Sequence, residues 1–438
     1  MGRVVNTGSL HAYLQGATRK FRKKRKMPDV TLRCEQQVAW GSKALRANPF
    51  HFSTKSYIIT PMWNYQTLSR IDFRIIPVIL GLMLISLMII SSYSGDSSPY
   101  AAEGFLTPLV KTQIKWFVIG TGVFLFFAGF DYNKLREWTW ILYSLILIAL
   151  LGLFFTSSIA SVHRWYKIPI INISFQPSEY AKLVVVIALS WYLERAKNQS
   201  KEWSTVFYAG LIVGIPFLLI LKQPDLGTAL VLFPITLVMF YFGDLHPLVL
   251  RLMSWIGGVL LLIVALIFLG GVSHEDLRPY ATKVLKDYQF DRLDPNTLHQ
   301  RAASTAIALG GLTGTGWKNS EFTANGWLPA PYTDSVFPAF GEEFGFFGLL
   351  LLLALLYTLI YLSFQVTAVA KDHFGRLLSA GVAVYLAMHI LMNVGMMTGI
   401  LPITGVPLVL VTYGGSSILS TMTALGILQS IYSRRFMF

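Results

Sequence analysis

Residues 175–193 read "FQPSEYAKLVVVIALSWYL". From Leu183 onward this is a hydrophobic helix. Glu179 and Lys182 nevertheless stand in its first turns, just after a proline. A carboxylate and an ammonium at a lipid boundary cost free energy unless something uses them. The two are three residues apart, so a helix puts them on one face. One reading is a boundary ion pair whose lysine snorkels to the headgroups. The other is a charged pair that serves a polar substrate.

The rest of the chain has the same character. Of its 438 residues, 54% are hydrophobic and only 13% charged, which sets it apart from soluble domains. The apolar residues fall in runs of about 18–25, the length that crosses a bilayer core. Ten such runs cover about 75–93, 113–131, 138–156, 178–194, 204–221, 226–243, 250–270, 337–363, 377–398 and 406–431. Glycines and polar residues interrupt the sixth and the tenth. The fold class is an all-α polytopic membrane protein with about ten transmembrane helices and one large extracytoplasmic loop, 271–336.

Charge is uneven. Residues 1–61 hold twelve Lys/Arg against two Asp/Glu, most of the chain's net +14. The basic balance therefore belongs to a tail and implies no nucleic-acid partner. Residues 1–67 are expected to be a disordered cytoplasmic tail, and 68–438 the membrane domain. "RKFRKKRK" (19–26) could also be attracted to anionic lipid, or translation could begin at Met62. No apolar segment follows the basic run, so it is no signal peptide. The single cysteine, Cys34, excludes an intramolecular disulfide.

Lys134 and Arg136, then Arg195, Lys197 and Lys201, then Lys371 and Arg376, then Arg434 and Arg435 fill alternate connections and the C-terminus. Positive charge marks the cytoplasmic side. Both termini are then cytoplasmic, and segments 94–112, 157–177, 222–225, 271–336 and 399–405 face outward.

The outward set holds the residues that could carry chemistry. Arg164 precedes the fourth span, and Gln176, Glu179 and Lys182 open it. "LKQPDLGTAL" (221–230) places Asp225 at a tight turn, where it either caps the next helix or meets a ligand. "FDRLDPN" (290–296) supplies Arg292 and Asp294, and Asp-Pro by itself initiates turns. "LPAPYTDSVFPAFGEEFGFFG" (328–348) brings Asp334, Glu342 and Glu343 to the eighth span, where the helix dipole favours carboxylates. "MHILMNVGMMTGILPITGVPLVLVTYGGSS" (388–417) contributes His389 and Asn393, the latter also suited to bonding between helices. Together they suggest a polar cavity that opens outward. Cations suit a phosphate or pyrophosphate, and a carboxylate suits a general base. Neither GxxxxGK[ST] nor GxGxxG after a strand occurs, so the substrate should arrive already activated. A lipid-linked pyrophosphate meets that requirement.

"HRW" with "FQPSEYAK", "QPDLGTA", "GGLTGTGW", "LPAPYTDSVFPAFGEEFGFFG" and "NVGMMTGILPITGVPLVLVTYGGSS" resemble the SEDS family (shape, elongation, division and sporulation) over about residues 68–435. The C-terminal blocks look more like its RodA branch than its FtsW branch. The resemblance implies a ten-helix peptidoglycan glycosyltransferase of the bacterial cytoplasmic membrane. It would join lipid II units, release undecaprenyl pyrophosphate and work with a class B penicillin-binding protein. The family's key aspartate matches Asp294, although the glycines and tyrosine that usually follow are absent here.

On this reading Asp294 takes the proton of the attacking sugar hydroxyl, and a single displacement inverts the anomeric centre. Arg164, Lys182 and Arg292 would neutralise the pyrophosphate, with Glu179 orienting Lys182. Gln176, Asp225, Glu342, Glu343 and Asn393 would line the substrate site. A divalent cation such as Mg²⁺ could assist as a Lewis acid, but no ligand cluster marks one. The rival readings are a lipid II flippase, which needs polar residues near the bilayer midplane, and a scaffold that only recruits the transpeptidase.

Overall fold

The computed structural model describes residues 69–92, 104–156, 164–168, 173–283 and 287–436. The readings of the basic tail and of Met62 lie outside the described residues.

Ten helices correspond to the ten apolar runs. They are α1 (Ile75–Ser92), α2 (Pro108–Gly129), α3 (Asn133–Gly152), α4 (Pro177–Arg195), α5 (Trp203–Lys222), α6 (Leu226–Phe242) and α7 (Pro247–Phe268), and later α12 (Val336–Val369), α13 (His373–Met397) and α14 (Gly415–Ser433). A two-stranded antiparallel hairpin, β1 (Tyr166–Ile168) and β2 (Ile173–Phe175), leads into α4. Among its described residues the 271–336 segment contains four short helices: α8 (His274–Ala281), α9 (Asp287–Phe290), α10 (Leu298–Gly310) and α11 (Glu321–Ala324).

Seven of the ten are long and apolar enough to cross a membrane: α1, α2, α3, α5, α7, α12 and α13. α4, α6 and α14 are shorter or more polar. Burial explains the difference. α4 and α14 are buried along nearly their whole length, and α13 is buried over 83% of its apolar window. These three form the centre of the bundle, so their polar residues meet protein instead of lipid. α7 is the opposite case, with only 6% of its window buried. It packs against α6 and otherwise presents its apolar surface outward.

Two runs depart from the expected spans. The tenth was expected as a helix from 406, but α14 begins only at Gly415, and 401–414 is irregular. Pro402 and Pro407 cannot donate to a helix, and Gly405 and Leu410 have φ of 72° and 60°. Irregular backbone at membrane depth is tolerated where protein buries it or where it lines a cavity. Residues 408–411 are indeed buried.

The eighth run is longer than expected, 34 residues, and is broken at Gly345 (φ 62°, ψ −161°). The break frees backbone groups that must find partners. The segment "LGGLTGTGW" (309–317) supplies them. The amides of Phe346 and Phe347 donate to the carbonyls of Gly311 and Leu312 at 2.9 and 3.3 Å. The amides of Thr315 and Gly316 donate to those of Glu342 and Glu343, both at 3.0 Å. The chains approach so closely that a methyl group on Gly314 would collide with the Glu343 carbonyl.

At the other end of the bundle, three of the basic connections meet. Arg136 reaches Asp372 at 2.6 Å and Glu194 at 3.0 Å, and its guanidinium lies 4.9 Å from the Phe374 ring centre. The Tyr132 hydroxyl donates to the same Asp372 at 2.6 Å. This network ties the start of α3 to the end of α4 and the start of α13.

Gly314 has φ of 85° and no room for a Cβ, whereas Gly122 in α2 faces open space. Gly314→Ala should therefore cost about 1–3 kcal/mol. It should lower the melting temperature of the detergent-solubilised protein by several degrees. Gly122→Ala should leave it unchanged or raise it slightly.

Candidate functional site

The site is built around the start of α4. Gln176 is the N-cap of this helix, and Pro177 occupies its first turn. The Gln176 side-chain amide donates to Asp225 Oδ2 at 3.2 Å, and the Ser178 hydroxyl donates to the same atom at 2.9 Å. Asp225 also accepts the Thr228 hydroxyl at 3.0 Å and caps α6 through the Thr228 amide at 3.4 Å. The capping role foreseen for Asp225 is thus present. The same carboxylate also fastens α4 to α6.

Arg164, ahead of the β-hairpin, donates to the carbonyls of Gln223 (3.2 Å) and Pro224. Arg292 projects from a single 3₁₀ turn, Asp291–Leu293, and reaches the Thr404 carbonyl at 3.5 Å. Asn393 of α13 donates to the backbone carbonyls of Val406 (2.8 Å) and Asp334 (3.1 Å). It holds the irregular 401–414 segment and the Asp334 backbone in place.

Two adjoining cavities result, of about 820 and 310 Å³. They share Trp165, Gln176, Glu179, Asp334, Gly405 and Pro407 as walls. The smaller adds Arg164, Asp225, Arg292 and His299. The larger adds Lys115 and Trp116 of α2, and Tyr413. The sequence brings Arg164, Gln176, Glu179, Asp225 and Arg292 to notice, and the fold gathers all five here. Asp334 stands out in the sequence only as a neighbour of Glu342 and Glu343, and His299 and Lys115 pass unnoticed. Neither His299 nor Lys115 belongs to a motif that would mark it.

Lys182 differs from the snorkelling picture. Its side chain is only 1% exposed. Its ammonium lies 2.8 Å from Glu179 Oε1, 2.7 Å from His389 Nε2 and 5.4 Å from the Tyr385 ring centre. Glu179 lines both cavities, and Lys182 lines neither.

Asp294 lines a third cavity, of about 1050 Å³, whose walls come from the end of α7, the start of α8 and from α10. One carboxylate oxygen accepts the Asn296 amide at 2.8 Å, which closes the Asp-Pro turn. Glu275, Arg301 and Thr305 share this cavity.

Glu342 and Glu343 line none of the three cavities. Glu342 accepts the amides of Phe322 (2.9 Å) and Thr323 (3.2 Å), so it caps α11 from a distant part of the chain. Glu343 accepts the Ser320 hydroxyl at 3.2 Å. The pair pins the long loop to the broken helix. Among the described residues, no group of three or more His, Cys, Asp or Glu is arranged to hold a metal ion.

Burial pushes the Asp334 carboxyl above the usual range, while His299 and Arg292 pull the other way. Burial likewise lowers the His299 imidazole, against the pull of Asp334. His299 Nε2 lies 2.7 Å from the Ser335 hydroxyl. A carboxyl and an imidazole whose titrations burial has perturbed thus line one cavity, the pattern of groups that handle protons or bind a polar ligand.

A ten-helix membrane bundle with a broken span and a polar cavity at one end defines the class of protein. Residues 73–435 match the model of the FtsW/RodA/SpoVE family of cell cycle proteins, the SEDS family, and the chain belongs to it. It is 30% identical over 370 residues to the peptidoglycan glycosyltransferase MrdB of Escherichia coli K12, covering 84% of this chain and 94% of that protein. It is 28% identical over 372 residues to a probable peptidoglycan glycosyltransferase FtsW of Trichlorobacter lovleyi, covering 82% and 93%. Its fold matches the crystal structure of the rod shape determining protein RodA of Thermus thermophilus, with a TM-score of 0.59, 21% identity and coverage of 84% and 98%. It also matches a chain of a peptidoglycan synthase complex that coordinates polymerization and crosslinking, with a TM-score of 0.64, 23% identity and coverage of 84% and 99%.

An acid whose folded pKa is raised is ionised more easily in the unfolded chain, so Asp334 weakens folding increasingly as pH rises above about 4. Asp334→Asn removes that term. The variant should melt at a higher temperature than the parent at pH 7–8, and the gap should shrink as pH falls toward about 4. A gap that is constant with pH would mean that Asp334 ionises as freely in the native protein as in the unfolded one.

Proposed function

We propose that this protein polymerises peptidoglycan glycan strands from lipid II outside the cytoplasmic membrane, in cell elongation. It is a peptidoglycan glycosyltransferase of the SEDS family. The elongation role follows the C-terminal motifs, since relatives named MrdB and FtsW are about equally similar. The cavity end of the bundle faces outward, and the Arg136–Glu194–Asp372 end faces the cytoplasm, by the charge of the short connections. Its partner is a class B penicillin-binding protein, which crosslinks the strands.

One observation carries the mechanism. Arg292 and Asp294 lie two residues apart, yet they line different cavities. The 291–294 segment contributes a residue to each. The donor's pyrophosphate lies on the Arg164 and Arg292 side, where guanidinium groups suit phosphate geometry. The acceptor's hydroxyl lies on the Asp294 side. Asp294 accepts the hydroxyl proton as the oxygen attacks the donor's anomeric carbon. The bond to the pyrophosphate breaks, and its growing negative charge is met by the arginines. One displacement inverts the anomeric centre.

Asp294→Asn keeps size and the turn-closing oxygen but cannot take the proton. A positioned base contributes about 10²–10⁴-fold, so lipid II polymerisation by the purified protein with its transpeptidase should fall at least about 100-fold. Yield and partner binding should not change. Normal polymerisation by Asp294→Asn would remove Asp294 as the base, and lipid II transfer across vesicles without polymerisation would favour a flippase. Topology has its own test. A cysteine placed at Leu298, an exposed position, should label with an impermeant reagent in intact cells, and labelling only after lysis would reverse the orientation.

A further inference from the structure

The buried charges at the start of α4 form a chain with a direction. His389 lies deep in the bundle, 1% exposed, with Nδ1 3.4 Å from the Pro407 carbonyl and Nε2 2.7 Å from Lys182 Nζ. An ammonium only donates, so Nε2 accepts from Lys182, and the ring proton sits on Nδ1, facing Pro407. Lys182 in turn donates to Glu179 Oε1 at 2.8 Å. Glu179 is 3% exposed, and its second oxygen, Oε2, has no hydrogen-bond partner. A buried acceptor without a partner carries a desolvation cost. Of the three residues, Glu179 alone lines the cavities.

The chemistry of the missing partner follows from charge. A phosphate is excluded, because it would face a carboxylate at contact distance. A metal cation is disfavoured, because Lys182 already neutralises Glu179. What remains is a neutral donor. Resting on the glycosyltransferase reading, we propose that Glu179 Oε2 accepts a hydrogen bond from a hydroxyl or acetamido N–H of the lipid-linked saccharide, and that Lys182 and His389 are positioning residues behind it. Lys182 then never meets the pyrophosphate. Its task is to fix one Glu179 oxygen so that the other faces the sugar. Sugar recognition and phosphate recognition fall on different walls, Glu179 on one and Arg164 with Arg292 on the other.

Two probes separate these walls: the lipid-linked disaccharide pyrophosphate, and undecaprenyl pyrophosphate without sugar. In Glu179→Gln, Lys182 holds the amide oxygen, and the NH₂ replaces Oε2. An acetamido N–H then faces a donor, and a sugar hydroxyl loses its charge-assisted bond to the carboxylate. Binding of the disaccharide probe should weaken about tenfold or more, and binding of the sugar-free probe should stay within about twofold. For polymerisation, the loss should appear in KM more than in kcat, as expected for a contact made equally in ground and transition states. His389→Leu should show the same split. His389→Gln, which offers an oxygen to Lys182 and an N–H to Pro407, should restore most of it. Equal weakening of both probes by Glu179→Gln, or of neither, would overturn the inference while the parental protein still polymerises. A parental protein that binds neither probe would overturn the glycosyltransferase reading and this inference with it.

Discussion

The ammonium of Lys182 cannot be left alone where it stands. Taking such an ion out of water costs several kcal/mol even after the protein relaxes, and the bundle offers this one almost no solvent. Its partners come from two helices: Glu179 from its own, and His389 with Tyr385 from α13. Satisfying one charge therefore sets α4 and α13 against each other at a definite height. α13 then carries Asn393, whose amide holds Val406 and the Asp334 backbone. The stretch of cavity wall around Asp334 and Val406 follows from that one requirement.

A second constraint acts on the backbone. A membrane span can be broken only where other groups take up the freed amides and carbonyls. This chain breaks twice. At Gly345 the glycine-rich segment supplies the partners. Along 401–414 Asn393 donates to the Val406 carbonyl, the Thr412 hydroxyl accepts the Leu408 amide at 2.7 Å, and the Tyr332 carbonyl accepts the Tyr413 amide at 2.9 Å. Both breaks serve the same end of the molecule: one anchors the long loop, and the other forms cavity wall through Gly405 and Pro407. The glutamates that look most functional in the sequence, Glu342 and Glu343, serve the first break and not the cavity.

How much of this could be read in advance depended on range. Helix count was legible because a span needs about twenty apolar residues whatever its neighbours are. The charged start of α4 was legible because charge at a membrane boundary is costly. The beginning of α14 was not, since prolines and glycines in an apolar run say that regularity fails but not where it resumes. Nor was the burial of Lys182, because snorkelling and burial give the same local sequence, and only His389, 207 positions away, distinguishes them. The pairing of Asp334 with His299 escaped for the same reason. Their meaning lies in each other's company, across a loop whose path the sequence does not state.

We place a lipid-linked sugar pyrophosphate at one end of the bundle, between cationic and carboxylate walls. A structure of the protein bound to its lipid-linked disaccharide substrate tests this placement most directly. The two phosphates should lie within hydrogen-bonding reach of Arg164 and Arg292, with the sugars extending from there toward Glu179 and the 291–294 segment. Phosphates seated against Glu179, or a headgroup lodged at the Arg136–Asp372 end, would contradict it.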